Sequence, residues 1–490
     1  MLAQRSDIAV SRLFTDVHEP LPAQAELMGF SLSWELDYVN VLDLLEDQQI
    51  PLRASERENE HPLVFGGGPV LTANPEPFAA FFDVILLGDG ETLLNDFLDA
   101  YGRVRGMDRR SQLKALARVP GIYIPELYAV SYESDDGPIT SISPVDSDVP
   151  AVVKKQTYRG NVLSASTVVT EKAAWENIFM VEVVRSCPEM CRFCLASYLT
   201  LPFRAASIEA SLIPAIEKGL QATRRLGLLG ASITQHPEFE ALLDYVNRPE
   251  YDDVRLSMSS VRTNTVNEKL AKTLVSHGSK SVTIAIESGS QRVRDIVNKK
   301  LDAAEIEAAA QVAKAGGLKS LKLYGMAGVP GETEADLMQT ADLLKSLKKK
   351  VPGLRLTLGC STFVPKSHTP FQWYGVTREA KQRLKFLQKH LRSEGIDFRP
   401  ESYSWSVIQA LISRGDRRLA DLLELTRGYG DTLGSYRRAF KALKGKLPPL
   451  DFYVHEQWPT HRVLPWEHLA GPLPKETLIK HLAEAEQFMV

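Results

Sequence analysis

Apolar residues recur along this chain in two rhythms, short continuous runs and helical stripes, and their alternation predicts its architecture. LMGFSL (27–32) is a run of strand length, and ELDYVNVLDLLEDQ (35–48) follows it with helical spacing. LVFGGG (63–68) is a second run, ending in glycines. FDVILLGDGE (82–91) is a third, and TLLNDFLDAY (92–101) restores the helical stripe. Strand–helix alternation implies a parallel sheet with ligands at the carboxyl ends of its strands. Residues 1–105 are therefore read as a Rossmann-like domain. Residues 106–176 carry a basic patch, then Pro, Asp and Ser with the hairpin signal DDG (135–137), and read as a small β-rich connector.

From 177 the alternation is sustained. Strands are expected at IFMVEVV (178–184), GLLGASIT (227–234), VRLSMS (254–259), SVTIAIE (281–287), LKSLKLYGM (318–326) and LRLTLGCSTFV (354–364). Helical patterns fill the gaps, near 206–226 and at EADLMQTADLLKSLKKK (334–350). Six such units across 177–375 predict a partial (β/α)6 barrel of TIM type, with its chemistry at the strand carboxyl ends. Residues 376–490 turn helical and aromatic. The fold class is α/β.

Composition narrows this picture. A chain of 490 residues holds about two to four domains. A net charge of −3 gives no nucleic-acid signal, and the runs KSLKKK (345–350) and RGDRR (414–418) read as solvated helix faces. Arg5 and Asp7 interrupt any signal-peptide core, and FAAFFDVILLG (78–88) is too short to span a bilayer and contains Asp83. A soluble, cytoplasmic protein without membrane partners is expected. Four cysteines form no disulfide framework.

Three of those four, Cys187, Cys191 and Cys194, crowd into VEVVRSCPEMCRFCLASY (181–198), directly after the first barrel strand. Three apolar core cysteines gathered by chance are the bland alternative. Zinc takes four ligands, usually from paired CxxC knuckles, and no second knuckle exists. His236, on the next strand's loop, stays open as a fourth ligand. Three thiolates and one open position suit a 4Fe–4S cluster with one iron left for a cofactor or substrate.

The stretch resembles the cluster motif of radical S-adenosylmethionine (radical SAM) enzymes, with the aromatic Phe193 before the third cysteine and Arg185 flanking the first. The family's glycine before the first cysteine is Ser186 here, a departure affecting loop geometry. The resemblance implies a 4Fe–4S cluster that cleaves SAM by one-electron reduction to a 5′-deoxyadenosyl radical. It also implies SAM contacts at the strand ends. GASIT (230–234) offers Gly230 and Ser232, although the family's Gly-Gly-Glu is absent. SSVRTN (259–264) offers Ser260 and Arg262 for the cofactor carboxylate. IESGS (286–290) offers Glu287 and Ser288, and MAGVPGET (326–333) offers Gly328 against the adenine. A one-electron donor of flavodoxin or ferredoxin type follows as partner.

LVFGGGP…NPEP…FFDVILLGDGE (63–91) resembles the domain that precedes the barrel in cobalamin-binding-type radical SAM proteins. With residues 29–57, 364–373 and 413–418, the likeness extends to an uncharacterised radical SAM group with that domain. Cobalamin is therefore a candidate cofactor. Its lower-ligand signature DxHxxG begins at Asp16-Val17-His18 but has Leu21 in the glycine position. The domain reads as short at its amino end, as though its opening strand and helix were truncated.

Cys360 reads as a core residue of the sixth strand, and one spare cysteine cannot build the second cluster of a methylthiotransferase. Pro365, His368 and Pro370 read as a rigid turn capping the barrel mouth, with His368 either structural or touching substrate. Tyr403, Trp405 and Arg414–Arg418 are placed to close over the cavity or to pack. The reading is a radical SAM enzyme whose chemistry is methyl transfer to an unactivated carbon, with cobalamin as candidate cofactor, or another radical rearrangement, on an unidentified substrate. The alternatives are modification of tRNA or protein without cobalamin, and an iron–sulfur electron carrier or redox scaffold.

Overall fold

A computed structural model describes residues 5–13, 22, 25–259 and 261–489. The backbone forms two compact units that interleave along the chain. The first comprises Met1–Tyr158, Val364–Gly375 and Val407–Lys475, and the second Arg159–Phe363, Val376–Ser406 and Glu476–Val490. This differs from the division in sequence order at 105, 176 and 375. The reason lies in buried polar contacts within the first unit. Ser413 and Gln409 donate to the Glu35 carboxylate at 2.7 and 3.0 Å, joined by Lys366. Asn74 donates to the Ser413 and Gly415 carbonyls at 3.1 and 2.9 Å.

The first unit is built on β1 (Leu27–Ser31), β2 (Leu63–Gly67) and β3 (Val84–Leu86), parallel and in that order. β4 (Ile122–Tyr123) adds antiparallel to β3, so the connector covers that edge. The helix Gly90–Val104 buries Leu93, Phe97, Ala100 and Val104, a spacing that keeps one face against the core. The connector opens with a helix rather than a strand. Its basic patch forms Arg109–Leu116, capped where Asp108 accepts from the Ser111 N–H at 3.1 Å. The expected hairpin follows as β5 (Tyr128–Tyr132) and β6 (Ile139–Pro144), and β7 (Val153–Lys154) pairs with Leu469–Ala470.

The second unit contains β8 (Phe179–Arg185), β9 (Arg204–Ala205), β10 (Arg225–Gly230), β11 (Arg255–Met258), β12 (Ser281–Glu287), β13 (Ser320–Ala327), β14 (Arg355–Thr362) and β15 (Asp397–Pro400). β8, β10 and β11 are parallel neighbours, as are β12 through β15, and a parallel bridge between Val261 and Ile284 joins the two sets. All six expected barrel strands are present. β15 is a seventh, inside the region read as helical, and its DFRP has no apolar run to announce it. β10 starts two residues early and stops at Gly230, so the helix before it ends at Leu220.

Each barrel strand presents two unlike faces. Phe179, Val181 and Val183 are buried, and Phe179 lies so close to Gly219 of the helix Ile213–Leu220 that a Cβ there would be 2.2 Å from its ring. The opposite face of β8 carries Met180, in register with Gly227, and Glu182, in register with Leu229. Leu229 on β10 is 37% exposed and Tyr324 on β13 is 49% exposed, both within barrel strands. The concave side is therefore accessible, while the convex side is the apolar core. No helix among the described residues is long and apolar enough to cross a membrane.

Candidate active site

β8 ends at Arg185 and the chain turns at once into the cysteine loop. Ser186 has φ 72° and Met190 φ 58°, both in the left-handed region that favours glycine. The Ser186 hydroxyl anchors this geometry by donating to the Ala196 carbonyl at 2.9 Å. The Cys187 N–H reaches the same carbonyl at 3.2 Å, and the Cys194 N–H reaches the Cys191 carbonyl at 2.9 Å.

Two side chains clamp the loop to the helix Gln291–Ile296 that follows β12. Arg192, buried, donates to the Asp295 and Ile296 carbonyls at 2.8 and 3.0 Å, where a cation complements the helix C-terminus. Asn298 donates to the Glu189 and Met190 carbonyls at 3.2 and 2.8 Å. The terminal helix Lys475–Glu486 meets the same loop. His481 Nδ1 lies 2.8 Å from the Tyr198 hydroxyl and Glu484 lies 3.2 Å from Arg192.

The three cysteines share this loop. Burial pushes the Cys191 thiol up to about 12, against the pull of Lys299, and also raises Cys194. Such thiols give thiolates only to a strongly bound cation. No group of three His, Cys, Asp or Glu side chains among the described residues converges on a single-ion site. A cubane takes its thiolates on separate irons, and three cysteines on one loop beside a pocket suit it. His236 is spent on backbone, with Nε2 2.7 Å from the Ala206 carbonyl and Nδ1 accepting from the Glu238 N–H at 3.0 Å, and so is no fourth ligand. Cys360 is buried in β14 as a core residue.

A pocket of about 80 Å³ opens beside Cys187 and Cys191, lined also by Ser232, Arg262 and Lys299. Arg262 points into it, paired with Glu189 at 3.0 Å and with Asn264 at 2.8 Å. Ser232 donates to Gln235 at 2.6 Å, and Gln235 in turn donates to Glu189. Glu287 ends β12 with φ 62°, a strained geometry at a strand end, and accepts from Lys299 Nζ at 2.8 Å. Burial opposes the Lys299 charge, but Glu287 and the thiols outweigh it and raise its affinity for the proton. Glu189, Lys299 and Asn298 were not anticipated from sequence. Glu189 lies between two of the cysteines, which is the one signal that could have found it.

The other expected contacts are placed differently. Phe193 is half-buried on the loop. Gly230 is required by packing, since a Cβ would lie 2.7 Å from Val184 Cγ2. The Ser288 hydroxyl lies 3.2 Å from that of Thr340, on the helix Glu334–Lys350, and accepts from the Ser290 N–H at 3.1 Å. Ser260 lies outside the described residues. Gly328, at φ 82°, donates its N–H to Glu332 at 2.7 Å, and Arg383 pairs with the same carboxylate at 3.0 Å.

Burial raises the Glu332 carboxyl from 4.5 to about 7. The folded state thus holds this proton more tightly than the unfolded chain. Its stabilising effect is full below about pH 4.5 and is lost as pH rises through about 7. Glu332→Gln keeps an acceptor for Gly328 and removes the titration. Its melting temperature, scanned from pH 4.5 to 8, is expected to fall less than that of the wild type; parallel profiles would refute the assignment.

His368 belongs to the first unit and is half-buried there, and desolvation pushes its ring to about 4. The run 414–418 is not a solvated face. Arg414 is 0% exposed, donates to the Tyr453 carbonyl at 2.6 Å and stacks over Trp458, while Arg417 pairs with Glu76 at 2.8 Å. Tyr403 opens the helix Tyr403–Arg414, which also carries Trp405. Asp16, Val17, His18 and Leu21 lie outside the described residues.

The strand-end glycines of the first unit test the fit of a corrin. A Cβ on Gly68, at φ 95°, would lie 2.7 Å from the Leu32 carbonyl oxygen, and one on Gly88, at φ 122°, would lie 2.0 Å from that of Gln156. Both close approaches are made by the chain's own backbone. These two glycines therefore do not form a cradle for a corrin's nucleotide tail.

Residues 181–344 match the model of the radical SAM superfamily, and residues 4–125 match that of the N-terminal region of radical SAM proteins. An uncharacterized protein of Methanocaldococcus jannaschii is 27% identical over 431 residues, 87% of this chain and 86% of its own. An uncharacterized methyltransferase of Pyrococcus horikoshii is 25% identical over 297 residues, 59% of each chain. Among solved structures, the radical SAM methyltransferase TsrM of Kitasatospora setae, with cobalamin and a [4Fe–4S] cluster bound, shares the fold. Its TM-score is 0.53 at 11% identity, covering 85% of this chain and 88% of that one. The matched superfamily span opens on β8 and contains both the cysteine loop and the strand ends that face it, and this chain is accordingly an enzyme of the radical SAM superfamily.

Proposed function

We propose that this enzyme cleaves SAM reductively at the cysteine loop and methylates an unactivated carbon of its substrate. The observation that carries the cleavage is the joining of Cys187 and Cys191 with Ser232, Arg262 and Lys299 around one pocket at the strand carboxyl ends. The name of the Pyrococcus relative supports methyl transfer as the outcome. When bound, the cluster supplies one electron, from a donor of flavodoxin or ferredoxin type, that breaks the carbon–sulfur bond of SAM. The protein's part is placement. Arg262 offers a guanidinium to the cofactor carboxylate in exchange for Glu189, and the Glu287–Lys299 pair presents both charges to the methionyl head.

A second reading, modification of tRNA or protein by the radical without cobalamin, is favoured by the packing of Gly68 and Gly88 against the chain itself. Anaerobic reconstitution with dithionite separates the two. Cobalamin-dependent methylation requires S-adenosylhomocysteine to appear only when cobalamin is added. The corrin-free reaction gives 5′-deoxyadenosine irrespective of it. Absence of both products would overturn the proposal.

Arg262→Ala and Glu287→Ala are each expected to weaken SAM binding about tenfold or more, the worth of a charge-assisted hydrogen bond. Iron content should stay at the wild-type level. Unchanged SAM affinity in both variants would refute these contacts.

A further inference from the structure

The helix Gln291–Ile296 ends in a turn that places one cation beside the cysteine loop. Asn298 takes the left-handed conformation there, with φ 55°. Its N–H bonds to the Asp295 carbonyl at 3.1 Å, and the N–H of Lys299 reaches back to the Arg294 carbonyl at 2.7 Å. The two bonds close a Schellman motif, in which asparagine can stand for glycine. The Asn298 side chain bonds to the Glu189 and Met190 carbonyls, so the turn is fastened to the loop itself. Lys299 is the next residue, and it lines the pocket with Cys187 and Cys191.

Among the described residues, Arg262 and Lys300 also bring cations to that pocket, but neither weighs as much at the thiols. Arg262 is matched at 3.0 Å by Glu189, which lines the pocket with it. The Lys300 side chain is 54% exposed, where water and salt screen a charge. The Lys299 side chain is 17% exposed, and its counter-ion is Glu287 at the end of β12, 2.8 Å away. Burial is the largest influence on the Cys191 thiol and raises it. Lys299 is the next and lowers it, ahead of the opposing Glu287 carboxylate, so the pair turns its positive member toward that sulfur.

We infer that the Lys299 ammonium raises the reduction potential of the cluster held by Cys187, Cys191 and Cys194, and so eases the electron transfer that starts SAM cleavage. The inference rests on the SAM-cleaving reading above. One electron leaves the flavodoxin- or ferredoxin-type donor and enters the cubane, and no proton moves with it. Reduction therefore adds one negative charge to a site that already holds three thiolates. Iron–sulfur potentials follow net charge and solvent exposure. A cation fixed where water screens it poorly favours the more negative, reduced form. Glu287 cancels part of that effect, so the two members of the pair should act on the potential with opposite signs.

The test is an anaerobic redox titration of the reconstituted enzyme without SAM, followed by the electron paramagnetic resonance signal of the reduced cluster. Lys299→Met should make reduction at least tenfold less favourable, a shift of about 59 mV to more negative potential for one electron. Lys299→Arg keeps the charge and should recover most of that shift. Glu287→Gln removes the counter-ion and should move the potential the other way. A change of packing or of water access alone would move Lys299→Met and Glu287→Gln in the same direction, and that result overturns the inference. So does a wild-type potential in Lys299→Met, or an equal shift in Lys299→Arg. If Lys299→Met holds no iron, Glu287→Gln decides: a positive shift supports the inference, and an unchanged or negative one overturns it. A wild type that assembles no cluster overturns the proposed function and this inference with it. A wild type whose cluster titrates but which cleaves no SAM overturns the proposed function alone.

Discussion

Replacing any one of Cys187, Cys191 or Cys194 by alanine is expected to abolish the iron of anaerobically purified protein, which in the wild type should reach about four per chain for one cubane. The loss should be complete because, among the described residues, neither His236 nor Cys360 is free to replace a missing thiolate. His236 is occupied by the Ala206 carbonyl and the Glu238 N–H, and Cys360 is buried in β14. Cys360→Ala should retain the iron. Iron determination with the visible absorbance of the cluster decides this, and full iron in any one of the three variants would remove that cysteine from the ligand set.

Arg417→Met should cause the largest loss of stability. Glu76 is 0% exposed and accepts from Arg417 Nε at 2.8 Å, with the Tyr123 hydroxyl on its other oxygen. Burial by itself would raise the Glu76 carboxyl, but the guanidinium outweighs it and holds it below the usual 4.5. His468 stands 3.6 Å away, yet burial keeps its own value near 4, so it brings no charge at neutral pH. Removing Arg417 leaves a buried carboxylate without a cation, at about 3–5 kcal/mol. The sign with pH follows. A lowered carboxyl stabilises above about pH 4.5 and loses that contribution as acid protonates it, so the gap between wild type and variant should close as pH falls. Urea denaturation at pH 7 and pH 4 measures both. A gap under about 1 kcal/mol at pH 7 would show the site relaxing to admit water.

The same arginine shows where sequence reading runs out. RGDRR looks like a solvated face because charge runs usually are, and nothing local tells that Glu76 waits more than three hundred residues upstream. The cysteine loop was legible because its chemistry is carried by residue identity over eight positions. The barrel strands were legible because buried parallel strands read as continuous apolar runs. The partners that hold the loop were not. Asn298, Lys299 and Glu189 are ordinary polar residues until β12 and its following helix are folded beside them. Ser186 was noted as a departure from glycine, but only the backbone shows the cost it carries and the hydroxyl bond that offsets it. Two interleaved units were equally hidden, because a return of the chain to an earlier sheet leaves no mark on local periodicity.

The clamp formed by Arg192 and Asn298 has a bearing on how the enzyme is made and repaired. Both side chains bond to backbone carbonyls, on the helix Gln291–Ile296 in one case and on the loop itself in the other, and neither bond involves iron. The turn that carries the thiols is thereby shaped by the barrel and not by the metal. Small zinc domains differ, since in them metal binding and folding are one event. Here cluster assembly is expected to be a matter of delivery: a chain stripped by oxygen should keep its socket and take back iron and sulfide without folding again.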